Sequence, residues 1–354
     1  MVCPPTAFME RVMNFRKNII NQIFLPGLIL TGCFSLMAQS KVGTTAVPFL
    51  GISICPRATA MGGAFAAVGE DVTSLYYNPG AVSRFGRSQF SAAHTGWLVD
   101  SKLNWVGLVI NLDGINAIGL SVTQLNYGEE IVTTVSNPEG TGENWGASDL
   151  AASFSYARNL TDRFSIGGSV KYIQEKIWNE SATAFAVDVG LLFITQFNDM
   201  RLGMSISNFG TDMRMDGRDL LKSHDLDPDA LGHNETIPAK LKTGDWPLPL
   251  LFRVGVAMNV IEVGPHHLML AVDALRPSDN TEILNVGGEL VLQNMVFLRA
   301  GYKSLFRENS EEGLTFGCGL NMPLGPSLSW QFDYTYADFG LFEQIQMFSV
   351  GLMF

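Results

Sequence analysis

The sequence predicts an all-β protein: a transmembrane antiparallel β-barrel of about fourteen strands with an N-terminal plug segment. Three observations carry that expectation. First, the chain closes on an alternating strand: Gln346, Phe348, Val350, Leu352 and Phe354 share one face, and Ile345, Met347, Ser349, Gly351 and Met353 share the other. Second, beyond the N-terminal region no apolar run reaches about 18 residues, so helices are not the spanning element. Third, the strand-like segments are joined by connections that alternate between short and long, and their embedded charges fall on one face.

The N-terminus reads as a secretory signal over residues 1–38. Arg16 and Lys17 supply its positive start, Ile23 to Met37 its apolar core, and Ala38 its cleavage point. Residues 1–12 sit oddly before such a signal, and Met13 is an alternative start. Leu30-Thr31-Gly32-Cys33 also fits a lipoprotein box, with Cys33 as the lipidated residue, but the apolar run continues past Cys33 and favours ordinary cleavage.

Residues 39–87 form a Gly- and Ala-rich stretch without sustained strand alternation, expected to be the plug. Gly62 and Gly63 let the backbone turn or pack closely against a wall. Asn78-Pro79-Gly80 is a turn signal.

Residues 88–354 are expected to form the barrel. The fourteen segments span 88–98, 102–112, 115–126, 146–159, 163–175, 182–195, 200–209, 250–262, 266–275, 282–293, 295–304, 312–322, 327–337 and 344–354. Connections such as Asp113-Gly114, Asn159 to Asp162 and Pro323 to Pro326 are short. Those from Tyr127 to Trp145 and from Gly210 to Pro249 are long. Short turns on one side and long loops on the other are the habit of outer-membrane barrels, where the long loops face outward from the cell. Phe354 is expected to act as the assembly signal.

The faces follow strand by strand. Phe164, Ile166, Val170 and Tyr172 point out and Lys171 in. Phe185, Val187, Val189, Leu191 and Phe193 point out and Asp188 in. The same pattern turns Arg253, Asp273, Glu289, Arg299, Lys303 and Asp333 to the lumen. A cation facing lipid at mid-bilayer would cost about 2–4 kcal/mol. Four cations against four anions predicts cross-strand pairing and anchorage for residues 39–87. Cys318 falls on the outer face and Cys55 in the plug segment, so no disulfide between them is expected.

Composition excludes several classes of function. Charged residues make up 16% of the chain, below the usual quarter, and 23 basic residues stand against 34 acidic, a net charge of −11. Nucleic acid is therefore not an expected partner, since phosphate binding needs a basic face. Asp225-Leu226-Asp227-Pro228-Asp229 resembles the start of a calcium loop, but Ala230 replaces the glycine and Thr236 the bidentate Glu. Adjacent His266 and His267 point to opposite strand faces. No HExxH, CxxC pair or GxSxG occurs. No catalytic, cofactor or metal residues are expected, and the chain is not expected to be an enzyme. The 210–249 loop mixes charges with Met213, Met215, Leu220, Leu221, Leu226, Leu231 and Trp246. It is read as a partner-contact surface or as a lid over its own barrel mouth.

Residues 44–80 carry a resemblance. Thr45-Ala46-Val47-Pro48-Phe49-Leu50, Arg57-Ala58-Thr59-Ala60-Met61-Gly62-Gly63-Ala64-Phe65 and Leu75-Tyr76-Tyr77-Asn78-Pro79-Gly80 are similar to the N-terminal signature of PorV/PorQ-type proteins, which are FadL-like outer-membrane barrels. The resemblance implies fourteen strands, an N-terminal plug, an outer-membrane location and contact with outer-membrane lipid. It implies a component of type IX secretion, with secreted cargo or secretion-machinery subunits as partners, or a FadL-like transporter whose partner is a hydrophobic small molecule. The chain reads Asn78-Pro79-Gly80-Ala81 where many relatives have Asn-Pro-Ala-Gly.

Overall fold

The computed structural model describes residues 42–69, 71–225, 229, 236–307, 310–342 and 344–354. The expected signal peptide, the alternative Cys33 lipidation site, Leu226 and Leu231 lie outside the described residues.

Among the described residues, fourteen strands form one closed antiparallel sheet. They are β1 Gln89–Gly96, β2 Lys102–Asn111, β3 Asn116–Ile131, β4 Asn144–Asn159, β5 Phe164–Ile177, β6 Glu180–Ile194 and β7 Arg201–Gly210. The second half is β8 Leu251–Val263, β9 His266–Pro277, β10 Ile283–Leu292, β11 Val296–Leu305, β12 Leu314–Pro323, β13 Ser329–Asp338 and β14 Gln344–Met353. Each strand pairs with its sequence neighbours. The ring closes where β1 meets β14, with Phe90 opposite Leu352 and His94 opposite Phe348. At the seam, Ser88 and Phe354 exchange backbone hydrogen bonds of 3.0 and 2.9 Å.

Closure is what hydrocarbon demands. Lipid offers no water to an unpaired N–H or C=O, so a spanning sheet cannot keep an edge. The outward faces are correspondingly apolar: Val170, Phe185, Leu298, Phe316 and Phe348 are exposed there. The opposite faces alternate with them and are buried.

All fourteen expected segments are strands, and β3 to β6 run beyond their expected ends. The long connection after β7 is more ordered than a loop. It holds Met213–Arg214 paired with Asp245–Trp246, and Leu221–His224 paired with Ile237–Lys240.

Replacing Val170 with Arg places a charge at the middle of the lipid face. Urea unfolding from phospholipid vesicles should show a stability loss of about 2–4 kcal/mol. An unchanged midpoint would mean that this face does not meet lipid.

Candidate functional site

The interior of the barrel is occupied by the chain's own residues 47–69 and 71–85. At the long-loop end Thr45 Oγ1 donates to Asp279 at 2.9 Å, and Ala46 N donates to Pro247 O at 2.9 Å. At the short-turn end Arg84 donates to the carbonyl of Asp162 at 2.6 Å. The segment thus runs the length of the lumen before feeding β1. Short helices at Pro56–Ala60 and Ser74–Tyr77 and a 3-10 turn at Pro79–Arg84 break it up, each starting where Pro or a small polar residue permits. Phe49, Ile54, Met61, Phe65, Leu75 and Tyr77 are fully or almost fully buried.

Wall glycines set how closely the segment can sit. A Cβ at Gly287 would lie 2.2 Å from Met61 O, one at Gly301 2.2 Å from Gly62 N, and one at Gly203 2.1 Å from Ala66 O. Only a missing side chain admits backbone so near. Gly62 itself has φ +65°, a left-handed conformation natural to glycine, and its N–H donates to Thr315 Oγ1 at 3.1 Å. Gly63, at φ +80°, continues the turn. Asn78 ties segment to wall. Its Nδ2 donates to Ala66 O at 2.7 Å and to Leu191 O at 2.9 Å, and its Oδ1 accepts from Gly80 N at 3.0 Å. Pro79 opens the 3-10 turn, and its carbonyl lies where a Cβ on Gly167 would come within 2.3 Å.

The eight lumen charges fall into distinct groups. Lys171 pairs with Asp188 at 2.6 Å and donates to Asn208 at 2.9 Å. Glu289 meets Arg299 at 2.5 Å, and Arg299 reaches Asp333 at 2.6 Å. Asp273 accepts the backbone N–H groups of Phe65 and Ala66, each at 2.8 Å. Half-buried Lys303 pairs with Glu312 at 2.6 Å near the long-loop end. Arg253 is buried and lies over the rings of Tyr76 and Tyr77, 5.2 and 5.3 Å from their centroids. Its Nε has no hydrogen-bond partner.

Sequence reasoning passed over Arg57, which joins the two halves of the interior. It is buried, grips Glu289 in a two-pronged contact at 2.7 and 2.9 Å, and reaches Asp71 at 2.8 Å. The run Arg57, Glu289, Arg299, Asp333 therefore crosses from segment to wall. The available signal was the only cation between Lys41 and Arg84 in a Gly- and Ala-rich stretch.

A cavity of about 280 Å³ remains between the segment and the wall at the long-loop end. Leu50, Ile52, Tyr76, Trp97, Leu251 and Arg253 are among its lining residues. The partner-contact residues separate there. Met213 is buried against Val47, Phe49, Leu125 and Ile173, so it belongs to a core and cannot meet a partner in this conformation. Met215 and Leu220 are half-buried, while Leu221 and Trp246 are exposed. Cys318 is exposed, Cys55 is buried, and both are free thiols.

The family model for the type IX secretion system protein PorV matches residues 35–222. No curated protein matches the chain in sequence. Among solved structures, the CymD monoaromatic hydrocarbon channel aligns with TM-score 0.54 and 11% identity, over 85% of this chain and 96% of that one. The Ralstonia pickettii toluene transporter TbuX aligns with TM-score 0.53 and 13% identity, over 85% and 97%. A Pseudomonas aeruginosa FadL homologue aligns with TM-score 0.51 and 13% identity, over 88% and 99%. At this identity the likeness establishes the fold.

Two outcomes test the interior. Arg57→Met leaves Asp71 and part of Glu289 uncompensated and should cost about 3–5 kcal/mol, read by denaturation and by faster proteolysis within residues 47–85. At the loop end, burial pushes the Glu312 carboxyl up. The Lys303 ammonium and the hydrogen bonds from Lys303 and Ser304 outweigh it and hold the group below its ordinary value. Its contribution is complete above the unfolded value of about 4.3 and fades as pH falls through the lower folded value. Hydrogen-exchange protection around residues 310–313, taken as each rate relative to the intrinsic amide rate at the same pH, should therefore be higher at pH 7 than near pH 3. Equal protection at the two pH values would contradict a stabilising Lys303–Glu312 pair.

Proposed function

We propose, from the premise that the chain belongs to the PorV family of type IX secretion system proteins, that it is a non-enzymatic component of protein secretion or surface attachment. In this reading residues 1–38 are removed as a signal peptide, residues 39–87 act as the plug, and the long-loop end meets secreted cargo or a subunit of the secretion machinery. The observation that carries it is the apolar character of that end. Val99, Phe306, Leu341, Leu221 and Trp246 are all exposed there, outside the lipid-facing band. Apolar residues grouped on a water-facing rim mark contact surfaces. The packed, ion-paired interior fits a carrier of protein cargo better than an open pore.

The cavity beside Tyr76 and Arg253 favours a second reading, a FadL-like transporter of hydrophobic small molecules. Solved structures of similar fold are described as a monoaromatic hydrocarbon channel and a toluene transporter. A lined space between plug and wall is where such a solute would lodge.

One double variant separates the two. Leu221→Glu with Trp246→Glu changes the rim without touching the cavity lining. In the producing bacterium, surface cargo should fall severalfold while uptake of an apolar solute stays at the unmodified level. Normal cargo with reduced uptake would reverse the assignment.

A further inference from the structure

Four neighbouring strands are longer than most of the others. β3, β4, β5 and β6 contain 16, 16, 14 and 15 residues, whereas β10 to β14 contain 10 each. About 9–11 tilted residues cross the hydrocarbon. The upper ends of the four therefore project past the bilayer on the long-loop side.

Their outward face changes chemistry with height. Register places Val122, Ala152, Tyr172 and Phe185 in one row. Two residues higher come Gln124, Leu150, Gln174 and Thr183, and two higher again Asn126, Ser148, Lys176 and Ser181. An apolar row gives way to a polar one at the level where lipid headgroups begin.

At the top row the wall is hollowed. The pairing of β3 with β4 shifts between Asn126 and Glu129, and a bulge of this kind re-aims side chains. Gly146 stands opposite Glu129 without a side chain, and its carbonyl accepts from Trp178 N at 2.8 Å. A cleft of about 290 Å³ results, bordered by Asn126, Glu129, Asn144, Ser148, Lys176 and Trp178. Asn126 Oδ1 accepts from Gly128 N at 2.8 Å, which leaves its amide donors free. Among the described residues, the side chains of Glu129, Asn144, Ser148 and Lys176 have no hydrogen-bonding or ion-pair partner.

The ligand class follows from that set. Donors and acceptors crowd one cleft, and its single cation is offset by its single anion. Glu130, Glu139 and Glu143 lie on the connecting hairpin, so an anionic ligand is disfavoured. A neutral polyol fits, because each hydroxyl both donates and accepts. Trp178 adds a broad apolar surface of the kind the C–H face of a sugar ring covers. We propose that this outer-wall cleft binds a neutral sugar residue, presented by a glycolipid of the outer leaflet in which the barrel sits.

The test uses the mature barrel in detergent, with methyl glycosides of glucose, galactose, mannose and N-acetylglucosamine as probes in saturation-transfer NMR. At least one should receive transfer, and Asn144→Ala with Lys176→Ala should weaken it at least fivefold. Trp178→Ala should do the same, while the heat-modifiable gel shift of the folded barrel stays intact. The same sugars carried on glycolipids in nanodiscs, read by native mass spectrometry, separate the sources. Retention of the glycolipid that is lost in the variants supports the lipid-borne sugar. Equal binding of the free glycoside supports a soluble one. No transfer from any glycoside together with glycolipid retention that ignores the variants would overturn the proposal, as would transfer that the variants leave unchanged.

Discussion

Backbone hydrogen bonding in hydrocarbon is the constraint from which the rest of this structure follows. A strand with a free edge in lipid leaves a row of N–H and C=O groups without partners, each costing several kcal/mol. Closing β1 onto β14 removes that edge. Closure then divides every strand into a lipid face and a lumen face. The lipid face must be apolar, so any charge the strands carry has to turn inward, and an inward charge out of water has to find a partner.

That chain of requirements explains the interior. Eight wall charges cannot stand in an empty lumen narrowed by side chains, and the wall alone does not satisfy them all. Asp273 takes two backbone N–H groups from the N-terminal segment, and Glu289 takes Arg57 as well as Arg299. The segment in turn needs room, which Gly203, Gly287 and Gly301 provide by lacking side chains. Polar pairing sets where the segment sits, and the wall glycines set how near it comes. At the long-loop end this matching loosens and leaves the cavity beside Arg253. The exposed apolar residues of the rim and the mouth of that cavity lie together at this end.

The legibility of the sequence follows the same physics. The fourteen strands were readable because lipid enforces period-two alternation, and the lumen charges were readable because a lipid-facing ion is costly. Where lipid stops, the pattern fades. Tyr127 to Ile131 are exposed throughout, so alternation could not reveal that β3 continues there. Arg57 escaped notice because its segment has no periodicity, and its link to Glu289, 232 residues away, exists only once the barrel is closed. The wall glycines were not legible, because nothing in the sequence marks which of the chain's 36 glycines face the N-terminal segment. Met213 was read as part of a partner-contact surface or of a lid over the barrel mouth; tertiary packing against Phe49 and Ile173 buries it, as a lid residue would be. Leu221 and Trp246, in the same stretch, remain in water.

The orientation of the wall can be measured at one natural position. Cys318 lies on the outward face of β12, opposite Leu298 and Tyr334. With Cys3, Cys33 and Cys55 changed to Ser, a nitroxide at Cys318 in vesicle-embedded protein should be broadened strongly by oxygen, which concentrates in lipid. A water-soluble nickel chelate should affect it little. Stronger broadening by the chelate would place that face in water and contradict a lipid-facing barrel wall.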